Sequence, residues 1–539
     1  LCEKRVDFRQ IKINTACELL TINDCMTNFI RPLKYGFTLS ILALSATGLS
    51  SCSPIHTNNY KPNPPPDGWI EPLPSTQPHN GKVTNLKDWW QQFNDPVLVE
   101  LIEAAQKVSP DIESAKARVL GSQAAVTYAK AQQLPAVNAE VSVSRSRSGS
   151  AFPSTNGNMI FPTTTTASVG VDASWEIDVW GKIKANKNEE EAKFIATTAL
   201  WHEARVIVAA QTATQYVNFR FCENLNMVAK KNAESSNETA RLSDLTAKAG
   251  FLAQASASQS LAQAAEAANL QKKQALQCTL EIKSLVAITA ISEPELVAKL
   301  AKNSGVMPVP ADIEITEMPA SLLAQRPDVL NAERNVAAAS FEITANEAQR
   351  YPRLSLAGNI ALSYDSFSRT FSKNNSVMDG LTWSIGPLAV SLPVFDAGVR
   401  AANIQSAKAK YEASKVTYES VTRNAVREVE EDLATLNSTA QRFEDASKAA
   451  EGFKISLDAT EARNKASLGN LFELEEARRV SLQAENNLLS LKNERVLAWI
   501  SLYRAMGGGW TAALNSPTLI FDHALKQTEP TDATSAPTN

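Results

Sequence analysis

Two stretches of this sequence, residues 163–293 and 394–516, contain no proline. Proline breaks helices by removing a backbone donor and clashing with the preceding turn, so its absence leaves room for helices of unusual length. Also missing is any run of about 20 apolar residues, which excludes a transmembrane helix. It does not exclude a membrane β-barrel, whose alternating strands average out in hydropathy. Histidine is scarce: His56, His79, His202 and His523 are the four present, and they are scattered. No HExxH, Cys/His ligand spacing, phosphate-cradling glycine loop or G-x-S-x-G occurs. Gly507-Gly508-Gly509 precedes a tryptophan and does not link a strand to a helix start. The Glu428, Glu430, Glu431 and Asp432 cluster reads as a charged coiled-coil face. The expectation is a protein without catalytic residues, metal or cofactor. A net charge of −4 over 539 residues argues against nucleic acid as a partner.

The N-terminal region reads as targeting sequence. Residues 1–25 show no pattern and are read as an annotation artefact, with translation expected from Met26. Residues 26–51 then carry Arg31 and Lys34, an apolar run over 35–49, and Leu49-Ser50-Ser51-Cys52. A charged start followed by an apolar core of this size suits a signal peptide. Leu49-Ser50-Ser51-Cys52 resembles a lipobox, which makes Cys52 the acylated N-terminus of the mature chain. The competing reading is an ordinary signal peptide with an incidental cysteine. Residues 52–85 are proline-rich and read as an extended linker.

Beyond Lys182 the first proline-free stretch is rich in Ala, Gln, Glu and Lys, good helix formers, and only Gly250 interrupts it strongly. A helix over about 183–249 would be roughly 100 Å long, a length that suits a coiled coil or helical tube. Ala192, Ala199, Val206 and Ala213 recur at heptad spacing, the pattern of a coiled-coil seam. Cys222 and Cys278 lie equally far to either side of Gly250. If the chain doubles back there, the two sit at the same height. An exported protein reaches an oxidising compartment, where the pair is expected as a disulfide. Two buried apolar thiols are the alternative.

Before this hairpin the period changes to two. Val137, Ala139, Val141 and Val143 alternate with polar residues, as do Ala167, Val169, Val171, Ala173 and Trp175. Two strands of about ten residues joined by a polar loop over 149–166 match outer-membrane barrel strands. The order of helices, strand pair and long hairpin then recurs. Pro110 answers Pro327, Pro135 answers Pro352 and Gly181 answers Gly398, all three at one and the same offset. The second hairpin turns at Leu468-Gly469-Asn470-Leu471. The fold class predicted is an α+β membrane protein with an internal duplication: first repeat 86–297, irregular connector 298–319, second repeat 320–510 and tail 511–539. Four strands per chain cannot close a lipid-facing sheet. Three chains would supply a trimeric 12-stranded β-barrel continued by a long antiparallel α-helical coiled-coil tunnel, whereas the eight strands of a dimer would be filled by side chains.

Four motifs now carry a resemblance. They are Pro319-Ala320-Ser321-Leu322-Leu323-Ala324-Gln325-Arg326-Pro327-Asp328-Val329, Trp175-Glu176-Ile177-Asp178-Val179-Trp180-Gly181-Lys182, Leu392-Pro393-Val394-Phe395-Asp396-Ala397-Gly398-Val399-Arg400 and Leu502-Tyr503-Arg504-Ala505-Met506-Gly507-Gly508-Gly509-Trp510. Together they resemble the TolC-like outer-membrane efflux factors, in the lipoprotein branch called the NodT family, over roughly residues 89–510. The resemblance implies a homotrimer in the bacterial outer membrane, lipid-anchored and reaching into the periplasm. Its partners would be a periplasmic adaptor (a membrane fusion protein) and an inner-membrane RND-type pump. It would serve as a passive exit duct for drugs or other small toxic molecules. Adaptor docking would fall on the tips, Gly250, Phe251 and Leu252 with Leu468, Gly469, Asn470 and Leu471. Both tip glycines are expected to need positive φ. Arg241, Asp244, Arg463 and Glu473 flank the tips as gate candidates, against the plainer reading of a solvated helix face. Lys465 stands where many relatives carry an aromatic residue. A type I protein-secretion conduit and a lipid-tethered periplasmic coiled-coil scaffold are the other readings.

Overall fold

The computed structural model describes residues 89–147, 149, 152–153, 159–161, 163–309, 326–365, 380–466 and 468–508. Cys52, the signal-peptide and linker calls over 1–85, and the tail lie outside the described residues, as do residues 310–319 of the connector.

The described chain opens with a 3-10 turn over residues 89–93. Helix α1 (Pro96–Val108) starts only after Asp95, whose carboxylate accepts from Val97 N at 3.0 Å. Ser109 caps α2 (Pro110–Ala131) in the same way. In both helices proline occupies the first turn, where no backbone donor is lost. Strand β1 (Ala136–Arg147) follows, then a small ribbon of β2 (Phe152–Pro153) and β3 (Met159–Ile160), then β4 (Thr163–Ile177). The ribbon lies within the expected polar loop, and β4 begins at Thr163, so the membrane strands are longer than the alternation suggested.

Helix α3 (Lys182–Lys248) has 67 residues and α4 (Gln254–Thr289) has 36. Gly181 opens α3 at φ 74°, and the Asp178 carboxylate takes the free N–H groups of Ile183 and Lys184 at 3.0 and 2.8 Å. Helix α5 (Glu293–Leu300) and a 3-10 turn (Ala301–Asn303) come next. Pro294 sits in the first turn of α5, and Leu296 and Leu300 are buried. The helix also runs across the expected boundary at 297.

The second repeat supplies α6 (Pro327–Ala348), β5 (Arg353–Asp365), β6 (Gly380–Ser391), α7 (Val399–Lys465) and α8 (Leu471–Ala505). Helix α7 has 67 residues, as α3 does. Gly398 at φ 90° and Asp396, which accepts from Gly398 N and Arg400 N, rebuild the start of α3. The duplication extends to side chains. Lys130 of α2 pairs with Glu191 of α3 at 3.3 Å. At the matching positions of the second repeat, Glu347 of α6 pairs with Lys408 of α7 at 3.5 Å, the charges exchanged.

Each hairpin is antiparallel, α3 against α4 and α7 against α8. The seam residues Ala192, Ala199, Val206 and Ala213 are all buried, small enough to bring helices close. The main core lies around the middle of α3. There Trp89, Trp90, Leu98 and Leu101 pack with Tyr216, Leu285, Leu296, Trp499 and Tyr503. Tyr216 donates to the buried Asp95, and Arg220, fully buried, donates to Tyr216 Oη at 2.9 Å. This network ties the entering chain to α3.

Cys222 and Cys278 are joined by a disulfide, Cα to Cα 5.5 Å, linking α3 to α4. Closing a loop with a sequence separation of 56 removes unfolded-state entropy worth about 4 kcal/mol in the chain-entropy account. Replacing both cysteines by serine is expected to lower the thermal midpoint of the helical signal in circular dichroism, with the tryptophan environment of the core intact below the transition. An unchanged midpoint would remove the staple from the account of stability.

Candidate functional site: an apolar sheet face and two hairpin tips

The four long strands form one antiparallel sheet in the order β1-β4-β5-β6. Register puts apolar opposite apolar: Ala139 faces Val171, Val171 faces Ile360 and Ile360 faces Trp383. The next row is Val141, Val169, Leu362 and Leu381. Between these rows lie polar ones, in which Asn138 donates to Asp172 at 3.2 Å and Ser142 meets Ser168 at 2.7 Å. Among the described residues no helix covers the apolar rows: Val141 is 72%, Leu381 70% and Trp383 71% exposed. In water such a face would be an aggregation surface; against lipid it is the required one. Gly386 and Pro387 make a bulge opposite Ala357, and the rows resume beyond it. Among the described residues, β1 and β6 each have one unpaired edge.

At the far end of the first hairpin the turn is a Schellman motif. Phe251 N donates to Thr246 O and Gly250 N to Ala247 O, both at 3.0 Å. Gly250 occupies the left-handed position at φ 81°, where a side chain would be strained. The second turn is built differently, which corrects the expectation of positive φ at Gly469. Leu468 N closes the turn on Arg463 O at 2.9 Å, just before Gly469. Gly469 is needed for a close approach instead, since a Cβ there would lie 3.0 Å from Asn464 N. Asn470 caps α8 by accepting from Phe472 N at 3.0 Å.

Phe251 and Leu468 are 85% and 74% exposed, while Leu252 and Leu471 are half-buried. Phe472, 73% exposed, joins them and was not singled out by the sequence. Of the gate candidates, Arg463 and Glu473 meet across the second tip at 2.7 Å. Arg241 and Asp244 do not pair with each other; they bind Glu238 and Lys248 on their own helix. Exposed pairs of this kind contribute little. The cation that ties the hairpins together is Arg478, which sequence reasoning missed. It is buried and donates to Ser235 and Thr239 of α3 at 2.8 and 3.2 Å.

A model of the family described as "Outer membrane efflux protein" matches residues 101–289 and 318–508, one match per repeat. The chain belongs to this family. Among curated relatives, it is 25% identical over 423 residues to "Solvent efflux pump outer membrane protein SrpC" of Pseudomonas putida, covering 78% of this chain and 87% of that protein. It is 27% identical over 434 residues to "Nodulation protein T" of Rhizobium leguminosarum bv. trifolii, covering 80% and 89%. Among solved structures, the outer-membrane channel OprN superposes with a TM-score of 0.72 at 22% identity, over 84% of this chain and 99% of that one. The Campylobacter jejuni CmeC outer membrane channel gives 0.71 at 20% identity, over 85% and 98%. The fold is that of a TolC-like channel, with barrel strands and tunnel helices in each chain.

The family motif at Arg326 has a structural meaning here. The buried guanidinium grips Asp328 with two nitrogens, at 3.0 and 2.8 Å, and reaches Glu428 of α7 and Ala505 O of α8, each at 2.8 Å. Burial opposes its charge, and the two carboxylates outweigh burial and hold its pKa above the ordinary value. Nearby, burial pushes the Glu203 carboxyl up, with Asp328 adding to the effect. Burial also pushes Asp432 up to about 6, against the opposing pull of Ser501 and Arg504. A raised carboxyl binds protons more tightly in the folded state, so its ionisation costs stability as pH rises from about 4 to 6 and levels off above. We expect Asp432→Asn to raise the thermal midpoint, the gain vanishing at pH 3.5 and growing to order 1–3 kcal/mol at pH 7.5. An equal gain at both pH values would show that the ionised carboxyl carries no penalty.

Proposed function

We propose that this outer membrane efflux protein is the exit duct of a tripartite pump, working as a homotrimer with a periplasmic adaptor and an inner-membrane RND-type pump. The observation that carries the reading is the bare sheet. Its apolar rows call for lipid, and its two open edges call for further strands, because an unpaired edge in hydrocarbon costs several kcal/mol per unsatisfied group. Twelve strands from three copies satisfy both demands and leave a bore. The polar rows, with Asn138, Asp172, Asn359 and Ser384 at one level, then line the lumen.

The duct is passive: solutes move through it, and the pump supplies the energy. Relatives named for solvent, toluene and pyoverdine efflux support small molecules as cargo and favour pump-linked efflux over protein secretion. A periplasmic scaffold would have no use for an apolar sheet in register with the duplication.

Acylation at Cys52 anchors the mature chain to the outer membrane, at roughly 0.8 kcal/mol per buried CH₂. The intact mass of the membrane-extracted protein is expected to carry the acyl groups, and Cys52→Ser to remove them. A wild-type mass without the increment sinks the anchor.

The exposed Phe251, Leu468 and Phe472 form the adaptor-docking patch. Phe251→Asp combined with Phe472→Asp is expected to abolish solvent or drug tolerance in a strain relying on this protein, while a heat-dissociable trimer persists in the outer membrane. Full tolerance alongside normal trimer levels overturns the assignment of the tips.

A further inference from the structure

The two repeats have the same hinge between a helix and its following strand. In the first it is Ala131-Gln132-Gln133-Leu134-Pro135; in the second, at the repeat offset, Ala348-Gln349-Arg350-Tyr351-Pro352. Their surroundings differ. Helix α6 lies between α3 and α7, whereas α2 packs chiefly on α3. Accordingly Ala345 and Ala348 are 4% and 3% exposed. Their counterparts Tyr128 and Ala131 are open, Tyr128 at 69%, and Leu134, the counterpart of Tyr351, is 68% exposed. Tyr128 and Ala131 lie one turn apart at the end of α2, and Leu134 follows in the turn, its N–H bonded back to Ala131 O at 3.0 Å.

Within the chain, the second-repeat hinge meets the elbow that joins β4 to α3. Trp180 stacks on Tyr351, with ring centroids 4.7 Å apart, and its Nε1 donates to Pro352 O at 2.8 Å. This contact follows from the sheet, because Ile177 at the end of β4 pairs with Leu354 at the start of β5. The corresponding elbow of the second repeat joins β6 to α7. There Val394 and Phe395 are 90% and 87% exposed, and Val399 is 58% exposed. Among the described residues there is thus one elbow seated on a hinge, one elbow with nothing beyond it, and one hinge whose outer face is bare.

We propose that Val394 and Phe395 of one copy seat on Tyr128, Ala131 and Leu134 of the next, an elbow-on-hinge contact between chains like the one Trp180 makes within one, with different side chains because Ala397 stands at the repeat position of Trp180. The proposal rests on the trimeric reading above and names its seam. Antiparallel closure of the barrel brings the end of β6 beside the start of the next β1, as β4 is brought beside β5. The interface is head-to-tail, joining two different patches, so it generates a ring. Its chemistry differs from that of the internal seam. Where the internal seam carries Lys182, Glu176 and Arg353 in ion pairs, the corresponding positions of the other repeat are Val399, Pro393 and Ala136. At these positions the seam between copies is apolar, and the elbow's charged residues, Asp396 and Arg400, are paired with each other.

The test is cross-linking of the full-length protein in outer membranes. Leu134→Cys with Phe395→Cys in one chain, treated with an oxidant or a thiol-to-thiol linker, is expected to give covalent dimers and trimers on a denaturing non-reducing gel. Either single variant is expected to stay monomeric there. Leu134→Cys with Val394→Cys provides a second pair if the first assembles poorly. A native trimer that forms with neither pair linked between chains overturns this seam while leaving the trimer standing. So does capture of Phe395 by a photoactivatable lipid in place of the next copy. Solution mass of a monomer or dimer in detergent, with no higher species, removes both.

Discussion

Unpaired backbone groups cannot face hydrocarbon, and the rest of this molecule follows from that. Among the described residues the four long strands satisfy one another internally but leave one edge of β1 and one edge of β6 without a strand partner. Burying those edges under a loop would spoil the apolar rows; covering the rows with a helix would spoil the membrane surface. Only more strands of the same kind resolve the conflict. The chain carries two copies of one strand pair and one hairpin, so what pairs β4 with β5 inside the chain is available again at its ends.

The rods obey a second constraint, that a helix too long for a globular core must find its partners along its length. Alanines at heptad spacing let α3 approach its neighbours with little side-chain area. The larger residues are concentrated in one band, around Trp89, Tyr216 and Trp499. In that band buried polar groups fix which helices meet. Arg326 binds α6 to α7 and α8, and Asp95 binds the entering segment to α3. Toward the tips the wall thins to hairpins, and there the disulfide and Arg478 hold the helices that hydrophobic area alone would hold weakly.

Much of this was legible in the sequence because it rests on spacing. Absence of proline marked the rods, Gly250 marked the turn of the first, Gly181 and Gly398 marked the repeat, and mirror placement about Gly250 marked the cysteine pair. Alternation marked the sheet, although its strands run longer than the alternation suggested, since Thr163 to Thr166 pair as well as any valine. The boundary drawn at 297 falls inside α5, a helix of 8 residues that is too short to show a period. Gly469 was misread because a shift of a single position in the turn changes the demand from positive φ to close approach. Arg478 was invisible beside Arg479: both sit in a charged run, and only the packing of the second hairpin on the first decides which one faces inward.

The paired lengths of the helices have a geometric outcome. Helix α2, with 22 residues, and α4, with 36, both lie along the 67-residue α3; α6 and α8, with 22 and 35, stand in the same relation to α7. Where the shorter partner of one level ends, that of the next begins, so the wall keeps four staves per chain, with α1 and α5 added outside that count in the band around Trp89. A tube made of such staves keeps its circumference from the membrane to near its mouth. Any narrowing along it must come from how the staves tilt and coil, because their number does not change.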